Sequence, residues 1–92
     1  MIFRWFERKR QTNIRKHGID FADLSIVFAK ETVTILDDRF EYGGETRYVT
    51  FGLLQGRVIA ISHTEIDDII GIISARKATR NEENRYFKEV SD

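Results

Sequence analysis

The chain has 92 residues and no cysteine. Disulfides and thiolate metal sites are therefore excluded, which suits a reducing cytoplasm. Proline is also absent, and no linker-like or low-complexity stretch interrupts the chain. Residues 1–92 read as one domain with one small core. Long apolar runs are lacking as well. The longest, Ile69 to Ala75, contains Gly71 and Ser74 and falls far short of the ~20 residues that span a bilayer. The N-terminus carries Arg4, Glu7, Arg8, Lys9 and Arg10, where a signal peptide needs apolar residues. A soluble, cytoplasmic protein without a membrane partner is expected. Two isolated histidines do not form a metal ligand set. There is no glycine-rich phosphate loop or nucleophile elbow, so neither a metal nor a cofactor is expected.

Net charge is lacking too, with 15 basic and 15 acidic residues. That balance argues against a general nucleic-acid binder, and no recognition-helix pattern suggests direct DNA binding. The distribution is uneven. Residues 1–20 hold six basic and two acidic side chains, a balance of +4, whereas residues 31–69 hold three basic and eight acidic, a balance of −5. A local basic surface can engage phosphates even on a neutral chain. Solvation of helix and loop faces explains the same charges.

Ile2 to Trp5 alternates and reads as a short strand. Glu7 to His17 reads as a helix closed by Gly18. Its thin apolar content makes it largely solvent-facing or partner-facing. Asp20 caps a second expected helix, in which Phe21, Leu24, Val27 and Phe28 form one buried stripe. Thr32 to Leu36 reads as a strand and 37–44 as a polar loop. Glu45 to Leu54 and Arg57 to Thr64 form a hairpin across Gln55-Gly56. After a turn over Glu65 to Asp68, the apolar run Ile69 to Ala75 suggests a strand buried on both faces. Thr79 and Glu82 have capping-box spacing at the start of a last helix over Asn81 to Val90. The order β-α-α-β-β-β-β-α gives an α+β fold with an antiparallel sheet.

Pairing Leu54 with Arg57 sets Tyr48 opposite His63. Pairing Thr64 with Ile69 would set Arg57 opposite Arg76, with His63 roughly 20 Å away along the strands. Two separate clusters follow. Arg57, Arg76 and Lys77 lie near the start of the last helix and suit either a phosphate or an ion pair to Glu82 or Glu83. Glu45, Arg47, His63 and Glu65 offer an imidazole beside carboxylates, usable for proton transfer or as a hydrogen-bonded strand end. His17, after Lys16, stands at a helix C-terminus, where the dipole favours cations.

The segments Asn13-Ile14-Arg15-Lys16-His17-Gly18-Ile19-Asp20-Phe21, Val27-Phe28, Glu45-Thr46-Arg47 and Ile72-Ile73-Ser74-Ala75-Arg76-Lys77-Ala78-Thr79, followed by Glu82 and Tyr86, resemble the BrnT toxin family over nearly the whole chain. The resemblance implies a RelE-like fold, a metal-independent ribonuclease that blocks translation, and a complex with a BrnA-like antitoxin. DNA would be reached only through the antitoxin, in a heterodimer or a heterotetramer. On this reading Arg76 and Lys77 stabilise the phosphate, His17 transfers a proton, and Tyr86 orients the base or stacks. Lys9, Arg10, Lys16, Arg57 and Arg80 would hold the RNA backbone.

Three positions depart from the family pattern. Trp5-Phe6-Glu7 stands where Trp-Asp-Glu is usual, and Ile66 and Gly71 stand where arginine is usual. Lost cations weaken transition-state stabilisation. A catalytically weakened chain that only binds its antitoxin in an autoregulatory complex is the alternative.

Overall fold

Glu7–His17 forms helix α1, with Gly18 as its left-handed C-cap at φ 69°, the conformation glycine adopts without steric cost. The structure is a computed structural model describing residues 1–39 and 41–91. The loop expected over 37–44 includes position 40, which lies outside the described residues. Strand β1 is Ile2–Arg4, and a 3-10 turn at Phe21–Asp23 precedes the short helix α2, Ser25–Phe28. Strands β2 (Val33–Asp37), β3 (Arg47–Leu54), β4 (Arg57–Ile66) and β5 (Ile69–Lys77) follow, then helix α3 (Arg80–Val90).

The second helix is thus broken rather than continuous. The Asp20 carboxylate accepts from the Ala22 amide and caps the 3-10 turn. The expected stripe still packs inward: Phe21, Leu24 and Val27 are buried, with Phe28 against them. Burial alone therefore fits both geometries, and tertiary contact selects the tighter turn.

The sheet is α+β in context, five-stranded, in the order β1-β5-β4-β3-β2. Its last four strands are antiparallel, but β1 runs parallel to β5, pairing Ile2 with Ile69 and Arg4 with Gly71. The expected α+β fold is present, with a mostly antiparallel sheet made mixed by β1 alone. The β3–β4 hairpin has the expected register, Leu54 with Arg57 and Tyr48 with His63. Gln55 (φ 52°) and Gly56 (φ 80°) both take the left-handed region, as a two-residue turn matched to strand twist requires.

The β4–β5 register differs from the expected one. Its turn is Asp67-Asp68, so Ile66 pairs with Ile69, and Ile73 is bulged out between the pairs Ser62–Ser74 and His63–Ile72. Arg76 therefore faces Ala60, not Arg57. A shorter turn and one bulge each shift the pairing, and neither leaves a local signature in the sequence.

Each face of the sheet carries a core. The 3-10 turn and α2 cover Ile59, Ile61, Ile70, Ile72 and Ala75. Val49, Phe51, Val58 and Ala60 pack with Tyr86 of α3 on the opposite face. β5 is buried only at alternate positions, including Ile70, Ile72 and Ala75, so the expectation of burial on both faces does not hold. Helix α3 lies against β2 and β3.

Candidate active site

Strand β1 ends at Arg4, opposite Gly71, so the edge of β5 beyond Gly71 needs other partners. Asn13 of α1 supplies them. Its Nδ2 donates to Ala75 O (3.0 Å) and to Ile19 O (2.9 Å), and its Oδ1 accepts from Ala75 N (3.0 Å). A buried carboxamide with these bonds replaces the missing strand. It also fixes the last turn of α1 beside the end of β5.

That docking brings together residues distant in sequence. Lys16 and His17 from α1 and Arg76 and Lys77 from β5 line one open depression of about 340 Å3. His17 and Lys77 also border a neighbouring hollow with Arg57. Lys9, Lys16 and His17 border another with Arg8, Thr12 and Ser74. The result is a continuous trough along α1 whose charged side chains are cations. Lys9, Lys16, Lys77 and Arg57 make no ion pair among the described residues. A polyanion laid in the trough would find them available.

Arg76 is held differently. Its Nη1 and Nη2 donate to Glu82 Oε1 (2.8 Å) and Oε2 (3.0 Å), and Nη1 also donates to Lys77 O (3.2 Å). Glu82 in turn accepts from Thr79 N (2.8 Å), while Thr79 Oγ1 accepts from Glu82 N. The expected capping box is therefore present, with a guanidinium added to it. The Arg76 guanidinium holds the Glu82 carboxyl at a pKa of about 2. The ion-pair alternative for Arg76 is thus realised. Three of the five guanidinium N–H groups are used, leaving two for a further acceptor.

Other expected site residues lie elsewhere. Arg10 is engaged by Asp20 (2.7 and 2.9 Å) and Glu7 (2.6 Å), and fixes the turn after α1. Arg80 is exposed at the first position of α3 and does not line the trough. Tyr86 is buried in the core under α3, and its hydroxyl donates to Glu31 O (3.0 Å). With its ring enclosed, it offers no face to a nucleobase and no hydroxyl to a base in the trough. The period that puts Tyr86 on the apolar side of α3 also points it inward.

The second expected cluster is divided by the sheet. Arg47 pairs with Glu45 (2.8 Å) and lies over the Tyr42 ring (4.0 Å). His63 is on the other face, 1% exposed. Its Nδ1 donates to Thr64 O (3.2 Å), so its Nε2 accepts from the Thr50 hydroxyl (2.7 Å). Thr50 Oγ1 then accepts from Thr34 (2.7 Å). Burial pushes the His63 pKa down and favours the neutral ring. Glu65, two residues on, is exposed. His63 is therefore a core histidine, separated from Arg76 by the sheet itself as well as by roughly 13 Å along β5.

Sequence reasoning passed over Arg8, Thr12 and Ser74. Arg8, Thr12 and Lys16 are spaced i, i+4, i+8, one face of a helix, and that spacing was the available signal. Around the start of α1, Arg4, Trp5, Phe6 and Thr64 line a further cleft.

Residues 5–82 match the family described as "Ribonuclease toxin, BrnT, of type II toxin-antitoxin system". No curated protein matches the chain. The match covers most of the sequence, and the chain belongs to the BrnT family of ribonuclease toxins.

Proposed function

We propose that this BrnT-family chain cleaves RNA in the trough between α1 and the end of β5, without a metal ion, and thereby stops translation in the cytoplasm. One observation carries the reading. Lys16 and His17, and Arg76 and Lys77, about sixty residues apart, line the same depression. The reaction is attack of a ribose 2′-OH on the adjacent phosphorus, with the 5′-oxygen leaving. The products are a 2′,3′-cyclic phosphate and a 5′-OH.

Such a displacement needs proton transfer and cations around the phosphorane. Imidazole exchanges protons near neutral pH, and His17 is the exposed imidazole in the trough. Lys77 and the two remaining N–H groups of Arg76 would neutralise the phosphate oxygens. Glu82 keeps the guanidinium in one orientation, which lowers the ordering cost of binding. Lys9, Lys16 and Arg57 hold the flanking phosphates. Family membership implies a cognate antitoxin, and a BrnA-like protein covering the trough would neutralise the toxin.

The test is cleavage of a defined single-stranded RNA by purified protein. His17→Ala is expected to slow cleavage by about a hundredfold or more. Lys77→Ala is expected to weaken RNA binding and reduce the salt dependence by about one counterion. Both residues are exposed, so the fold is retained. Full cleavage by His17→Ala and Lys77→Ala would place the chemistry elsewhere. An intact protein that binds antitoxin but cleaves nothing would favour the binding-only alternative.

A further inference from the structure

The cleft at the start of α1 has about 360 Å3, and the trough continues into it through Lys9. Its walls are apolar, made by Trp5, Phe6, Ile72 and Ile73, and its rim carries Arg4, Lys9 and Arg47 against the single acid Glu45. Its size and lining are those of a small-molecule site. Three features of this chain meet at this end of the sheet.

Phe6 is the N-cap residue of α1 and makes no capping hydrogen bond. It is 75% exposed. An aspartate or asparagine there would cap the helix, and the missing cap lowers its stability. An aromatic ring at this position lowers helix stability and leaves apolar surface in water, so the fold itself does not account for it. Gly71 is the second feature. A Cβ at Gly71 would stand 2.5 Å from Thr64 Oγ1. Its absence leaves room for that hydroxyl, which makes no hydrogen bond among the described residues. Ile66 is the third, 68% exposed and paired with Ile69 two residues beyond the Thr64–Gly71 pair.

We infer that this cleft binds an unpaired nucleobase of the RNA, stacked on Phe6 and Trp5 with its edge at the Thr64 hydroxyl, while the adjoining phosphates pass Arg4 and Lys9 into the trough. The inference rests on the RNA reading above and adds a base-binding subsite to it. Aromatic rings flanked by cations are the chemistry that holds single-stranded bases. An apolar surface without the cationic rim would fit a protein segment better. The rim and its continuity with the trough favour RNA.

Trp5 is the chain's single tryptophan and lines the cleft, so quenching by a bound base is read from it without other indole signals. The intact protein is titrated with a short 2′-O-methyl RNA, which cannot be cleaved by its own 2′-oxygen, and with an abasic strand of equal length. The base-bearing strand is expected to quench Trp5 and to bind roughly tenfold more tightly than the abasic strand. Phe6→Asn supplies a helix cap without adding a charge, so this variant folds at least as well. It is expected to erase the tenfold difference while binding the abasic strand as before. Equal binding of the two strands with unchanged Trp5 fluorescence overturns the base site and leaves the cationic trough standing. If neither strand binds even at low salt, the RNA reading itself fails. If Phe6→Asn instead impairs only antitoxin binding, the cleft is a protein-docking surface and the inference is wrong.

Discussion

Helices α1 and α3 are held to the sheet by different means. At α1 the fixing group is buried and polar, the Asn13 carboxamide that clamps Ala75 at the edge of β5. Within the sheet, on the face that α2 covers, a second buried polar chain runs from Thr34 through Thr50 to His63. On the side of α3 the contact is apolar, with Tyr86 and Val90 against β-strand side chains, and the polar fixing is the half-exposed Arg76–Glu82–Thr79 set. Buried polar groups are costly when they lose a partner, whereas a partly exposed ion pair contributes little net stability. The α1 side is therefore the more sensitive to single substitutions. Both arrangements converge on the end of β5, where one sets Lys16 and His17 and the other sets Arg76.

The largest expected effect breaks the α1 side. Asn13→Ala leaves the N–H and C=O of Ala75 without their partners and is expected to cost about 3 kcal/mol, read from the urea midpoint. The variant is also expected to lose cleavage more steeply than stability, because Lys16 and His17 move with α1. A loss below 1 kcal/mol would show that α1 docks by other contacts.

A smaller effect tests the histidine of the buried polar chain. The His63 pKa is lowered in the folded protein, below an unfolded value of about 6.5. Above that value neither state holds the extra proton and stability is full. As pH falls below it, the unfolded chain takes up a proton that folded His63 resists, so stability declines by at most about 1.4 kcal/mol per pH unit. The decline ends once the folded value is passed. Unfolding measured between pH 8 and 5 should show this slope, and His63→Gln should flatten it. The carboxyls of Asp20, Asp37 and Glu82, each held at about 2, act in a separate window. Their stabilisation is present above the ordinary carboxylate pKa and is lost at more acid pH.

The smallest effect belongs to the α3 side. Thr79→Ala removes the cap of α3 and is expected to cost about 1 kcal/mol. Glu82 keeps Arg76 through its own two bonds, so cleavage should change less than for Asn13→Ala. A thermal melt and a rate measurement on the same sample separate the two outcomes. A larger loss of activity for Thr79→Ala would reverse the comparison and make the capping box the principal support of the site.

Local chemistry by itself determined much of this protein. The helix bounds at Gly18 and Thr79, the Gln55-Gly56 turn and the β3–β4 register follow from groups that interact within a few residues, so neighbours in sequence suffice to read them. The family-like blocks contain Lys16, His17, Arg76 and Lys77, and the fold brings these four to one depression. Tertiary structure alone decided the parallel docking of β1, the bulge at Ile73, the inward turn of Tyr86 and the side of the sheet that takes His63. Each depends on contacts between segments tens of residues apart. A shift of one residue in pairing moves a side chain to the opposite face, and no local preference fixes that choice.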